Sequence, residues 1–154
     1  MKKIKLITCL VLLLAAVHLQ AQDNALEKNS HYTGASATKK QYKAIYQLDQ
    51  NDPHIIEKTF RNINNALSDP RLTGKLQVEL VAFSGGTNAY LKNSNYGEDL
   101  KKLVEKGVIV AQCNNTLQER NISRDSLYNF IAIVPSGNGE LIIREQEGWT
   151  IIKP

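Results

Sequence analysis

The sequence predicts an α/β domain built on a mostly parallel five-stranded sheet with helices on both faces. Two observations carry this. From Gln41 onward, short runs of apolar and aromatic residues alternate with stretches whose apolar residues recur every three or four positions. The changes between the two are marked by Gly, Pro, Asn and Asp, the residues that end helices and strands. Parallel strands joined by helices cross over right-handed, which places helices over both faces. Strand order is left open.

The first strand is read over Tyr42 to Leu48 (YKAIYQL). Asp52-Pro53 then opens a helix, with Asp52 as cap and Pro53 at the first helical position. Ile56, Phe60, Ile63 and Leu67 form its single apolar stripe, and Asp69-Pro70 and Gly74 turn the chain out. The second strand is Leu76 to Phe83 (LQVELVAF), broken by Ser84-Gly85-Gly86-Thr87. A helical stretch around Asn88 to Leu91 follows. The helix from about Gly97 to Lys106 buries Leu100, Leu103 and Val104 and stops at Gly107. The third strand is Val108 to Gln112, running into Cys113. A short helix is read over about Asn115 to Arg120, capped by Asn114 or Asn115 with Gln118 completing a capping box. Ser123 caps a further turn toward Tyr128. The fourth strand is Phe130 to Val134, a helix covers about Asn138 to Glu147, and the last strand is Trp149 to Ile152.

The chain has 154 residues, 42% hydrophobic and 22% charged, which excludes a disordered or collagen-like protein. Its formal charge of +4 is misleading, because Lys2, Lys3 and Lys5 crowd the N-terminus. Met1 to Ala21 reads as a secretory signal peptide: a basic start, an apolar run from Leu6 to Val17, and Ala21 at the cut. The alternative is an uncleaved anchor, although the run is short for a bilayer, which takes about 20 apolar residues. Removing the three lysines leaves 16 basic residues against 15 acidic, so electrostatics offer no case for nucleic-acid binding. The mature chain is expected to be periplasmic or secreted, with no stable membrane insertion. Residues 22–40 are polar and read as a flexible tether; residues 41–154 form the domain.

Cys9 leaves with the signal, so Cys113 is the one thiol of the mature chain. Ligands bind open parallel sheets at the carboxyl ends of the strands. Three loops leave such ends: Ser84-Gly85-Gly86-Thr87, the segment from Gln112 to Thr116, and Ser136-Gly137-Asn138-Gly139. Cys113 is the candidate catalytic residue, since a thiol at a helix N-terminus meets unpaired N–H groups and the positive end of the dipole, which favour thiolate. The competing reading is an inert buried cysteine. Ser84, Gly85, Gly86, Asn114, Asn115, Thr116, Ser136 and Gly137 are candidate substrate-binding residues, through backbone N–H groups offered to an anion or to a substrate bound at Cys113. Tight turns and ordinary capping would account for the same residues. No lysine accompanies the glycines, so a nucleotide-binding loop is not supported. His31 and His54 have no partner at ligand spacing, and neither a metal nor a cofactor is expected.

Four stretches resemble the DsrE/DsrF-like family, which includes sulfur-relay subunits. They are Asn62-Ile63-Asn64-Asn65, Val78 to Gly86 (VELVAFSGG), Gly107 to Thr116 (GVIVAQCNNT) and Val134 to Pro154. With the signal peptide, the chain resembles an exported branch of that family. The resemblance implies a three-layer α/β/α domain, a homotrimer or homohexamer, and a persulfide-carrying cysteine at Cys113. It also implies a sulfur donor or acceptor, either a protein or a small thiol. The alternative function is an oligomeric module that binds a small ligand or a partner, with Cys113 incidental.

Overall fold

The computed structural model describes residues 24–154. The signal-peptide segment lies outside the described residues. Residues up to Ser36 group separately from the fold, which spans Ala37–Pro154. In the segment read as a tether, residues 24–30 are helical, as suits the helix formers Ala25, Leu26, Glu27 and Lys28.

Five strands form: β1 (Tyr42–Leu48), β2 (Leu76–Ala82), β3 (Ile109–Cys113), β4 (Ala132–Val134) and β5 (Thr150–Ile152). All pair in parallel, in the order β4-β3-β2-β1-β5. The helices are α1 (Pro53–Ser68), α2 (Gly97–Glu105), α3 (Asn114–Glu119) and α4 (Gly137–Gln146). Asp52 caps α1 by accepting from the His54 N–H at 2.8 Å, as its position before Pro53 predicts.

Strand order explains the layering. From β1 to β4 the chain steps one way across the sheet, so right-handed crossovers put α1, α2 and α3 on one face. From α4 it returns across the whole sheet to β5, which puts α4 on the other face. The three-layer α/β/α expectation is met. The larger core lies on the first face, where Tyr46, Leu48, Leu80 and Val110 pack with Ile56, Phe60, Ile63, Leu100, Leu103 and Leu117. On the second face Ile45, Val81, Leu141 and Trp149 form a smaller cluster, joined by Phe83 and Val134. One helix covers that face sparsely. Ile142 and Ile143 of α4 are 61% and 55% exposed and Ile109 of β3 is 43% exposed.

That second face also buries a charge. Glu79 of β2 is fully buried, and its Oε2 accepts from Arg144 Nε at 2.7 Å. The Arg144 guanidinium lies 4.4 Å from the centre of the Trp149 ring and also reaches Glu140 and Glu147. Burial raises the Glu79 carboxyl above its ordinary range, while Arg144 pulls it back down.

Several boundaries differ from the expected ones. Cys113 is the last residue of β3, because Val134 of β4 offers it a ladder partner. The helix begins at once, so Cys113 itself occupies the cap of α3 with no side-chain capping bond; the predicted asparagine cap does not form. The chain from Ser84 to Tyr90 is a single 3-10 helix that starts inside the glycine turn. Phe130 and Ile131 stay out of β4, since the Ile131 N–H turns back to the Tyr128 carbonyl and Phe130 stacks on Tyr128. Trp149 precedes β5 because its N–H closes α4 on the Arg144 carbonyl.

Candidate functional site

The ends of β2, β3 and β4 are neighbours in the sheet, so the three candidate loops meet along one edge. Two hydrogen bonds tie them. The Ser84 N–H donates to Thr116 Oγ1 at 3.1 Å, joining the β2 loop to α3. The Asn115 N–H donates to the Pro135 carbonyl at 3.3 Å, joining α3 to the β4 loop. Cys113 is the one free cysteine among the described residues and stands between them, in register with Val134. It is 5% exposed. The described surface cavities lie elsewhere.

Each predicted binding residue has a definite place. Ser84 is exposed, has a φ of +48°, and its carbonyl accepts from Arg120 Nη1 at 2.7 Å. Gly85 faces the backbone of Asp49 and Asn51 just beyond β1, where a Cβ would come within 2.9 Å of the Asn51 nitrogen. Gly86 is tighter still: a Cβ there would lie 2.0 Å from the Leu48 carbonyl oxygen. Its N–H donates to the Phe83 carbonyl. The two glycines therefore let the loop close against the end of β1. Asn114 is half-buried, Asn115 is exposed, and the Thr116 hydroxyl is committed to Ser84. Ser136 caps α4 by accepting from the Gly139 N–H at 3.1 Å. Gly137 is pressed on the Phe83 ring, where a Cβ would come within 2.6 Å.

The sequence reading placed Gln112 in a candidate loop without a role and missed Arg120. Gln112 is fully buried in β3, and its Nε2 donates to Thr87 Oγ1 and to the Cys113 carbonyl, both at 2.9 Å. It thereby fastens the cysteine's backbone to the 3-10 helix. Arg120, at the end of α3, clasps the same helix through Ser84 and Asn88. A glutamine inside an apolar strand was the available signal for the first; nothing local marked the second. Among the described residues, no cluster of three His, Cys, Asp or Glu side chains could hold a metal ion, and no helix is long and apolar enough to cross a membrane.

The arrangement presents a single sheltered thiol, held at the strand end from three sides. A sequence model of the DsrE/DsrF-like family matches residues 35–154. Among solved structures, a protein of unknown function from Methanobacterium thermoautotrophicum, MTH1491, is 30% identical, with a TM-score of 0.70 over 74% of this chain and 100% of that one. The ychN protein from E. coli is 18% identical, with a TM-score of 0.58 over 74% of this chain and 99% of that one, a likeness of fold. No curated protein matches.

Proposed function

We propose that this chain, which belongs to the DsrE/DsrF-like family, carries sulfur as a persulfide on Cys113. Family membership points to a role related to sulfur relay. The observation that carries the finer reading is the place of Cys113, the free thiol that ends β3 and caps α3 where three loops are tied together. Thiolate is the reactive form of a cysteine.

In the proposed step, the Cys113 thiolate attacks the outer sulfur of a persulfide or polysulfide donor. A new S–S bond forms to Cys113. The donor's S–S bond breaks, and its electron pair leaves with the donor as thiolate. An acceptor thiolate then attacks the outer sulfur, and the electron pair of the Cys113 S–S bond returns to Cys113. No external oxidant or reductant is needed. Gln112 holds the Cys113 carbonyl, and Arg120 holds the neighbouring Ser84 loop. The expected result is a sulfur adduct on wild-type protein offered a polysulfide, and none on Cys113→Ser.

The 5% exposure of Cys113 favours a second reading, a binding module in which the cysteine is incidental. A Cys113→Ser protein that takes up no sulfur but keeps its cellular phenotype would support it. Export is part of the proposal, with Met1 to Ala21 as the cleaved signal; the intact mass of protein purified from cells reads directly whether the chain begins at Gln22. So is self-association into a homotrimer or hexamer, supported by the exposed Ile109, Ile142 and Ile143 on the sparsely covered face. Light scattering should find an oligomer at micromolar concentration, and a strict monomer would contradict it.

A further inference from the structure

The turn between α3 and β4 takes no part in the cysteine edge, yet it carries a motif. Asp125-Ser126-Leu127 resembles the short O-glycosylation pattern of some exported bacterial proteins, and it is the one place in the chain where Ser or Thr follows Asp. A tripeptide recurs by chance, so its setting decides. Ser126 closes the 3-10 turn Arg124–Ser126 and is exposed. The bonds that hold it use its backbone. Its carbonyl accepts from the Lys92 N–H at 2.8 Å, and its N–H donates to the Ser123 carbonyl at 3.0 Å. Lys92 Nζ donates to the Asp125 carbonyl at 2.8 Å. Leu127 is 2% exposed and pairs with Leu91. The turn is thus pinned on both sides of an exposed serine, which a modifying enzyme reaches without unfolding the chain. The Asp125 side chain forms no ion pair among the described residues, so it too is open to recognition.

A surface cavity of about 540 Å³, within the volume range of small-molecule sites, has Ser126 in its lining. The rest of the lining suits a sugar. Asn93 and Asn121 bring amides, which both donate and accept, as sugar hydroxyls do. Leu91 and Ile122 bring apolar surface for the C–H face of a ring. The one charged lining residue, Lys92, has its ammonium on the Asp125 carbonyl. A neutral, polyhydroxylated occupant attached at Ser126 fits this chemistry.

We infer that Ser126 carries an O-linked glycan whose first sugar lies in this cavity. Such attachment rests on the export proposed above, because the pattern belongs to exported chains. In the step, the Ser126 oxygen attacks the anomeric carbon of a sugar activated as a lipid-linked phosphate. The bond from serine oxygen to carbon forms. The bond from that carbon to the phosphate oxygen breaks, and its electron pair leaves with the phosphate. The serine proton passes to a base of the transferase, a separate enzyme, and nothing is oxidised or reduced.

The test is mass spectrometry of the full chain purified from the cells that naturally make it, intact and after proteolysis. The peptide containing Ser126 is expected to carry hexose-type mass increments that β-elimination releases, and Ser126→Ala should lose all of them. That variant keeps every backbone bond of the turn, so it should fold and still take up sulfur at Cys113. Asp125→Asn should lose most of the occupancy. Amide NMR of the glycosylated and Ser126→Ala chains should differ at residues 91–93 and 121–123 as well as in the turn; differences confined to residues 125–127 would remove the cavity as the sugar's seat. A chain that begins at Gln22 with a bare Ser126 overturns the inference and leaves export standing. A chain that keeps Met1 with a bare Ser126 overturns both. Phosphate on Ser126, or a sugar on Asn121 of Asn121-Ile122-Ser123 in its place, would also overturn it.

Discussion

Gly86→Ala should destabilise the protein strongly, with a loss of about 3 kcal/mol or more, at the upper end of overpacking costs. The added Cβ would lie 2.0 Å from the Leu48 carbonyl oxygen and 2.6 Å from its carbon. Neither is the end of a flexible side chain. Leu48 closes β1, and its carbonyl accepts from the Phe83 N–H, so β1 cannot retreat without breaking the ladder. The 3-10 helix cannot retreat either, because Thr116, Gln112 and Arg120 hold it. Against a typical domain stability of about 5–15 kcal/mol, such a loss removes much of the total. Gly107→Ala is the control. Gly107 has a φ of +86° but open space around it, so only backbone strain applies, about 1–2 kcal/mol. Urea denaturation of both variants checks the comparison. If Gly86→Ala loses no more than Gly107→Ala, the loop is not pressed against β1 as described.

Arg144→Ala should cost about 3–5 kcal/mol at neutral pH, the range for removing one partner of a buried ion pair. Glu79 would be left buried in the middle of the sheet, its Oε1 already without a partner. The sign of the pH dependence follows from its raised carboxyl. A carboxyl whose folded pKa lies above its unfolded value adds no penalty below the unfolded value, about pH 4. Stability is then lost as pH rises from there through the folded value. Without Arg144 the folded value climbs further, so the loss grows over a wider window. The gap between variant and wild type should therefore narrow toward pH 4, and Glu79→Gln in the Arg144→Ala background should recover much of the stability at pH 7. A gap equal at pH 4 and pH 7 would show that lost packing of Arg144 on Trp149, and not stranded charge, sets the cost.

What was legible beforehand follows from the range of the interactions. β1, α1 and α2 were read nearly residue for residue, because apolar periodicity, a Pro at the first helical position and a stop glycine are local signals. The convergence of Cys113 with the Ser84 and Ser136 loops followed from parallel strands alone. Strand order did not, since it depends on α4 crossing the entire sheet. Contacts between distant residues were equally hidden: Glu79 with Arg144, Ser84 with Arg120, and Gln112 with Thr87. The cap of α3 was misplaced because asparagine propensity was weighed without the extra ladder pair that carries β3 to Cys113. Gly85 and Gly86 were read as N–H donors for a ligand or as an ordinary tight turn; their steric role against β1 appears only once the sheet is assembled.

The most direct measurement is intact mass spectrometry of the protein after exposure to a polysulfide and then to an alkylating agent, beside Cys113→Ser. The account predicts one added sulfur atom on the wild-type chain, retained under the alkyl group, absent from the variant and removed by reductant. A wild-type chain that gains no sulfur, or a variant that gains as much, would contradict the assignment of Cys113 as a sulfur carrier.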